Sequence, residues 1–432
     1  MLAMNPAKIE DHLRLVLLAW MVIIAVAFLF GRLGRRWGQP LAVGEIIGGI
    51  LLGPSVLGAL WPDGMAALFP QESQESLQLL AKIGIILLMF QVGMEFDYGH
   101  LRDRSKSVIA ISQMGILAPC ALGLCIGPWL YKHFPPSQPG SFLGFQLFIC
   151  IALSISALPI MGRILLEMGL ERTALGALSI SAAAIDDVIG WVFLAAATAL
   201  VGSAFEWSRL AAQLAGIVLL VASLQLGIGP WLGQYWRRLR ARPGASEFPA
   251  QFLAVILIVL FACCYVTNRL GIFSIFGAFL LGVTLHRERE FVAAWRSRYS
   301  SLVLVAFVPI FFTNTGLNTK VGGLNHPMAW LGCAAVFVAA IVGKLGGCWL
   351  GARLTGSSPR EAACVGALMN TRALMGLVAI NIGRDLGLLS DELFTMFVLM
   401  ALFTTILCGP LLRLWLPPEL RQLESSSRGT QA

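Results

Sequence analysis

The chain has 432 residues, of which 57% are hydrophobic and 12% charged, and its formal net charge is +8. A soluble domain carries about 25% charged residues, so the composition describes an integral membrane protein and leaves no stretch polar enough for a second, soluble domain. The basic residues are scattered through short loops and form no stripe with interleaved aromatics, which excludes nucleic acid as a partner.

In chain order, the first apolar run, 15–30, is longer than a signal-peptide core and is followed at once by Arg32, so it reads as a retained helix. A spanning helix needs about 20 mostly apolar residues. On that criterion thirteen spans follow, at 14–31, 40–60, 77–97, 107–131, 143–168, 174–202, 209–232, 250–268, 271–287, 301–318, 327–352, 361–383 and 391–415. Of the 31 basic residues, 21 fall in the odd-numbered loops and the C-terminal tail, seven on the even side, and Lys82, Lys344 and Arg372 inside spans. Arg163 is counted among the odd-loop residues. By the positive-inside rule this split puts the N-terminus outside and the C-terminus in the cytoplasm, in the cell (inner) membrane. The nine cysteines lie in or beside apolar spans and the five histidines at span ends or in loops. Neither set has paired ligand spacing, so no cofactor and no resident metal site is expected.

Thirteen spans divide as six, one and six. A linker span between two six-span halves puts the halves in opposite orientations, the inverted-repeat plan of many transporters, with the site at the midplane between them. Span 5 then corresponds to span 12 and span 4 to span 11. Span 5 contains Ser154, Ser156 and Pro159, and span 12 contains Asn370, Thr371 and Arg372. Proline removes a backbone donor and clashes with the preceding turn. A broken helix is tolerated at membrane depth only where protein or a water-filled cavity satisfies its freed backbone groups. A packing kink, with the serines bonded to their own backbone, is the competing reading.

Asp186 and Asp187 sit mid-way along the apolar run 174–201. Ionisable residues at this depth mark ion pathways or proton relays. Successive helix residues point about 100° apart, so one aspartate can meet a cavity while the other meets a neighbouring helix. Lys344 in span 11 and Arg372 at the span 12 break are candidate counter-charges, whereas Lys82 lies nearer the outer end of span 3 and can snorkel to the interface. Burial disfavours the charged form of a carboxylate, so a proton and a small cation compete for one group, and a site that opens to each side in turn exchanges them. A static Asp–Lys pair that fixes packing is the competing reading. Intramembrane aspartic proteolysis is excluded, because it needs two carboxyls facing each other about a shared proton, and adjacent residues of one helix cannot do that.

Several segments resemble the monovalent cation:proton antiporter-2 family: the run 39–54 around Glu45, Leu88–Glu95, Ser274–Gly282, Pro309–Leu317, and the stretch from Met369-Asn370-Thr371-Arg372 to Pro410. They occur in order over nearly the whole chain. The resemblance implies an all-α membrane protein of the sodium/proton antiporter fold, with thirteen helices in two inverted six-helix repeats and broken, crossing spans 5 and 12. It implies a homodimer with scaffold helices at 14–97 and 250–318, an ion-carrying core at 107–202 and 327–415 that moves like an elevator, a linker helix at 209–232 and a cytoplasmic tail at 416–432. It also implies Asp187 as the main cation and proton ligand, Asp186 paired with Lys344, and Ser154 and Ser156 as hydroxyl-bearing positions of the unwound segment. The expected activity is exchange of a monovalent cation for protons, sodium first and potassium or lithium as alternatives, with membrane lipid as surroundings. Two features depart from the family pattern. Ala373 and Leu377 stand where many relatives carry glycine and a polar residue. The tail is short where glutathione-gated potassium efflux systems carry a nucleotide-binding domain. The alternative reading, a potassium efflux system, therefore requires a separate regulatory subunit. An organic-anion symporter or a non-transporting sensor on the same fold is a more distant alternative.

Overall fold

The computed structural model describes residues 6–36, 39, 41–95, 105–137, 142–201, 207–242, 248–270, 274–317, 324, 326–372, 376–377, 379–380, 383–384 and 386–421. Every regular element among them is helical, as a bilayer demands of any segment that must satisfy its own backbone. We label the principal helices α1 (Pro6–Arg36), α2 (Leu41–Leu52), α3 (Gln71–Glu95), α4 (Ser105–His133), α5 (Phe142–Ser154), α6 (Leu158–Met168), α7 (Ala174–Val201) and α8 (Trp207–Ser223). The remainder are α9 (Gly229–Arg240), α10 (Ala250–Arg269), α11 (Ser274–Leu285), α12 (Arg289–Trp295), α13 (Val308–Leu317), α14 (Pro327–Leu354), α15 (Pro359–Met369) and α16 (Asp391–Trp415).

All thirteen expected intervals carry helix. By length and apolarity nine helices among the described residues can cross a membrane, or ten if the pair Arg289–Ser300 and Val303–Asn314, bent by 45°, is one span. The boundaries differ where local chemistry intervenes. The helix of the second span stops at Leu52, before Gly53-Pro54. The seventh runs beyond 232, through a π-helical turn at Leu224–Ile228, to Arg240. Its extension is held because Leu232, Trp236 and Leu239 recur at helical spacing and are buried, with Trp236 packed on Phe248, Phe252 and Phe291. Arg163, expected in an inner loop, is instead a buried residue of α6. The expectations that concern Ala373 and the tail beyond Arg421 lie outside the described residues.

The packing repeats under exchange of the two halves. α2 packs on α13 as α3 packs on α11, α1 on α2 as α10 on α11, α4 on α5 as α14 on α15, and α4 itself on α14. This is the pattern an approximate two-fold axis between inverted repeats produces. It also separates the helices into two groups. α1, α2, α3, α10, α11 and α13 pack chiefly on one another, and α4, α5, α7, α14, α15 and α16 do the same, while α6 touches α2 and α3 on one side and α7 on the other.

Helix association inside lipid relies on close backbone approach at small residues. On α14, Gly343, Gly347 and Gly351 form a stripe at four-residue spacing against Pro119, Met114 and Ala110 of α4, and a Cβ on Gly343 would come within 2.7 Å of the Pro119 Cα. A Cβ on Gly347 would collide with the Met114 carbonyl, whereas one on Gly346 meets nothing within 4 Å. Overpacking of a tight interface costs about 1–3 kcal/mol. Gly347→Ala is therefore expected to lower the thermal unfolding midpoint of the purified protein while Gly346→Ala leaves it equal or higher. Equal midpoints for the two variants would show that α4 and α14 are not held at this distance.

Candidate functional site

The chain breaks span 5 between α5 and α6, leaving residues 155–157 outside helix. Pro159 stands in the first turn of α6, where its missing N–H costs nothing, while its ring prevents α5 from continuing through this point. α6 closes at Gly169, whose φ of 68° is the left-handed cap geometry that glycine adopts without a Cβ penalty. The repeat mate behaves alike. α15 starts at Ser358, whose side chain accepts the Glu361 N–H, and ends at Met369, with Asn370, Thr371 and Arg372 beyond its last turn.

The two breaks meet. The Ala157 N–H donates to the Thr371 carbonyl at 2.7 Å, and the Ser156 hydroxyl lies 3.0 Å from the Met369 carbonyl, its other neighbour being Asp186 Oδ2 at 3.2 Å. The C-terminal, partly negative end of α5 meets a buried cation. Lys344 Nζ donates to the Ser154 carbonyl at 2.6 Å, at the end of α5. Arg372 sits just past the end of α15 and is fully buried, donating from Nη2 to the Ala340 carbonyl at 2.8 Å and the Asn370 Oδ1 at 3.4 Å, while its own N–H donates to the Thr405 hydroxyl. Among the described residues no partner reaches Arg372 Nε or Nη1 or Asn370 Nδ2.

The adjacent aspartates on α7 have opposite environments. Asp186 is saturated: Oδ1 accepts from the Ser112 hydroxyl at 2.5 Å, and Oδ2 accepts from Lys344 Nζ at 2.5 Å with Ser156 close by. The side chains of Asp186 and Lys344 are 1% and 0% exposed, so this ion pair is wholly inside the protein. Asp187 is also buried, at 7% exposure, and among the described residues only the charges of Asp186 and Lys344 act on its carboxylate, with no hydrogen bond to it. Ser154 donates to the Cys150 carbonyl at 2.7 Å. A hydroxyl that has given up its proton to a hydrogen bond keeps its acceptor lone pairs, so Ser154 and Ser156 can still offer oxygen to a cation.

The structure thus brings together Asp186, Lys344, Ser154, Ser156, Asn370, Thr371 and Arg372 around the crossing, with Asp187 on the next position of α7. Lys82 is exposed and takes no part. Sequence reasoning missed Ser112. The available signal was a mid-span hydroxyl in the span that the repeat plan sets against the lysine's span. It also missed a second charged cluster. Arg163 Nη2 pairs with Glu45 of α2 at 3.2 Å and its Nε with Glu167 at 2.5 Å, while Glu167 accepts the Leu41 N–H.

Comparison with known proteins agrees with this architecture. A family model described as "Sodium/hydrogen exchanger, transmembrane" matches residues 22–417. The chain is 37% identical over 402 residues to the Na(+)/H(+) antiporter NhaS4 of Synechocystis sp., covering 93% of this chain and 97% of that one. It is 35% identical over 421 residues to Cation/H(+) antiporter 18 of Arabidopsis thaliana, covering 96% of this chain but 50% of that one, so it spans about half the length of that plant relative. The solved structure of the sodium proton antiporter MjNhaP1 from Methanocaldococcus jannaschii at pH 8 superposes with a TM-score of 0.59 at 14% identity, covering 96% of this chain and 99% of that one; this likeness concerns the fold.

Proposed function

The chain belongs to the sodium/hydrogen exchanger family and is a multi-pass membrane cation/proton antiporter; from that membership and the geometry of the helix crossing we propose that it exchanges a monovalent cation for protons by alternating access at Asp187. The observation that carries this reading is the contrast between two neighbouring carboxylates. Asp186 is held by Lys344, Ser112 and Ser156 and has no unfilled role. Asp187 is buried too, at 7% exposure against 2% for Asp186, and has no hydrogen bond among the described residues. Such a group is neutral with a proton or charged with a bound cation, and costs several kcal/mol when neither is present. Proton and cation therefore occupy it in turn.

On this reading the Asp186–Lys344 pair is the fixed neighbour that holds α7 to α14, and Ser154 and Ser156 complete the oxygen set around the ion. The helices at 107–202 and 327–415 form the moving core, those at 14–97 and 250–318 the scaffold, and 209–232 the linker. Support comes from the two packing groups, joined by α6 on one side of the seam. The protein works as a homodimer through its scaffold, with the N-terminus outside and the C-terminus in the cytoplasm of the cell membrane. Sodium is the leading cation, with potassium and lithium as the alternatives.

The test is reconstitution in liposomes that contain a pH-sensitive dye. Adding sodium, lithium or potassium outside is expected to drive proton efflux, and the three responses rank the cations. Because proton and cation compete, the apparent KM for the cation is expected to rise as the pH falls, by about tenfold per pH unit while the proton holds the site. A KM indifferent to pH would mean that the two ions use separate groups. Solute-driven current without proton counterflow would replace exchange with symport.

A further inference from the structure

Away from the helix crossing, a cleft of about 730 Å³ opens between α1, α2, α6 and the segment leading into α13. Its polar wall carries Arg32, Arg35, Arg163 and Arg296 with Glu45 and Glu167. Glu171 faces Arg296 from outside the cleft at 3.7 Å, so four arginines meet three glutamates. Its other wall is apolar and includes Ile24 and Phe28. Those two residues also line a second groove of about 500 Å³, which continues along α1 over Leu17, Trp20 and Met21. The two cavities share Ile24 and Phe28, and taken together their walls are apolar along α1 and basic at one end. From Trp20 to Arg32 is twelve residues, about 18 Å of helix rise, close to the ~15 Å of one leaflet of a bilayer core.

Two further features single out the basic end. Arg163 is 2% exposed and lines the cleft, and its Nη1 has no partner among the described residues. Arg32 lies at the rim, its guanidinium 4.6 Å from the Phe28 ring centre, so the apolar and the cationic walls meet at one residue pair. A soluble anion would use the arginines and leave the apolar groove empty, and a neutral lipid tail would do the reverse.

We infer that the two cavities join into one binding site for an anionic phospholipid, with the headgroup phosphate at Arg32 and Arg35, facing Arg163, and one acyl chain along Trp20, Ile24 and Phe28 of α1. The inference does not rest on the transport reading. Arg163 already joins α6 to Glu45 of α2, so the occupied site lies on the seam between the two packing groups.

The experiment measures the thermal unfolding midpoint of the full chain in neutral detergent while phosphatidylglycerol is titrated in, with phosphatidylcholine and inorganic phosphate as parallel arms. Phosphatidylglycerol is expected to raise the midpoint, and the other two are not. In the Arg32→Gln/Arg35→Gln variant the apparent affinity is expected to fall by about 30-fold, from two basic residues at the strength each adds beside an anionic lipid. Ile24→Trp, which fills the groove and leaves every charge in place, is expected to weaken the response as well. Arg238→Gln, an exposed arginine outside the cleft, is expected to match wild type. An equal shift with inorganic phosphate assigns the site to a soluble anion, and an equal response in the double variant and Arg238→Gln reduces it to surface charge; either result overturns the proposal, as does no response in wild type. Midpoints without added lipid show whether each variant is folded, and a misfolded Ile24→Trp leaves the decision to the double variant.

Discussion

Asp187→Asn is expected to abolish cation-driven proton efflux while leaving the protein as stable as wild type or more so. The amide has the same shape as the carboxylate but neither binds a proton in this range nor offers a negative charge to a cation, so both halves of the exchange fail together. Stability is expected to move the other way. Among the described residues Asp187 has no hydrogen bond to lose, and its carboxyl stands beside that of Asp186 inside the protein. Where neither a proton nor a cation is bound, two like charges at close range in a low-dielectric interior repel, so the amide relieves the fold there and leaves it unchanged where the carboxyl is protonated. Loss of activity with a retained or raised thermal midpoint is the signature of a residue kept for its chemistry. Exchange that persists in Asp187→Asn would put the ion site elsewhere, and a lost fold would make Asp187 a packing residue.

Lys344→Met is expected to have the opposite profile: a large loss of stability that a second substitution recovers. Removing one partner of a buried ion pair costs about 3–5 kcal/mol, because the other charge stays behind uncompensated. In Lys344→Met, Asp186 keeps only the hydroxyls of Ser112 and Ser156, and the Ser154 carbonyl loses its donor at the end of α5. Asp186→Asn in the same chain removes the stranded charge, so the double variant should regain most of the lost midpoint, short of wild type by what the Ser154 carbonyl lacks. A double-mutant cycle on thermal midpoints measures the coupling directly. Additive effects would show that the 2.5 Å contact between Lys344 and Asp186 contributes nothing. The same cycle read by transport separates the two aspartates, since proton–cation exchange in Asp186→Asn/Lys344→Met at a working Asp187 is compatible with a structural pair, whereas its loss assigns the pair a part in the ion cycle.

Much of this was legible in the chain. The carboxylates at 186 and 187 stand out because charge is rare at membrane depth, and Pro159 announces a break because a helix interior cannot accommodate its ring. The repeat plan made span 4 the counterpart of span 11 and span 5 that of span 12; in the structure α4 packs on α14 and the Ala157 N–H meets the Thr371 carbonyl. Arg163 shows where such reading stops. A basic residue near a span end looks like a topology signal until a carboxylate from a distant helix arrives beside it, and Glu45, 118 positions earlier, cannot be assigned to it by spacing. Ser112 escaped for the same reason, being an ordinary helical serine until Asp186 faces it from 74 positions away.

What the sequence determined by itself is one-dimensional: the membrane class, the helical intervals, the halves of the repeat and the residues too costly to bury without purpose. These follow from local properties, namely apolar run length, the missing donor of proline and the desolvation of charge. The different surroundings of the two aspartates come instead from the tertiary packing. Successive positions on one helix differ in direction by a fixed angle, but the neighbours that meet each direction come from α4, α14 and the break after α5, and their arrival is a property of packing. Ser112, Ser156 and Lys344 close around Asp186 and leave Asp187 without a hydrogen bond among the described residues, and that asymmetry, absent from the chain read in order, is what the proposed roles of fixed strut and exchangeable site rest on.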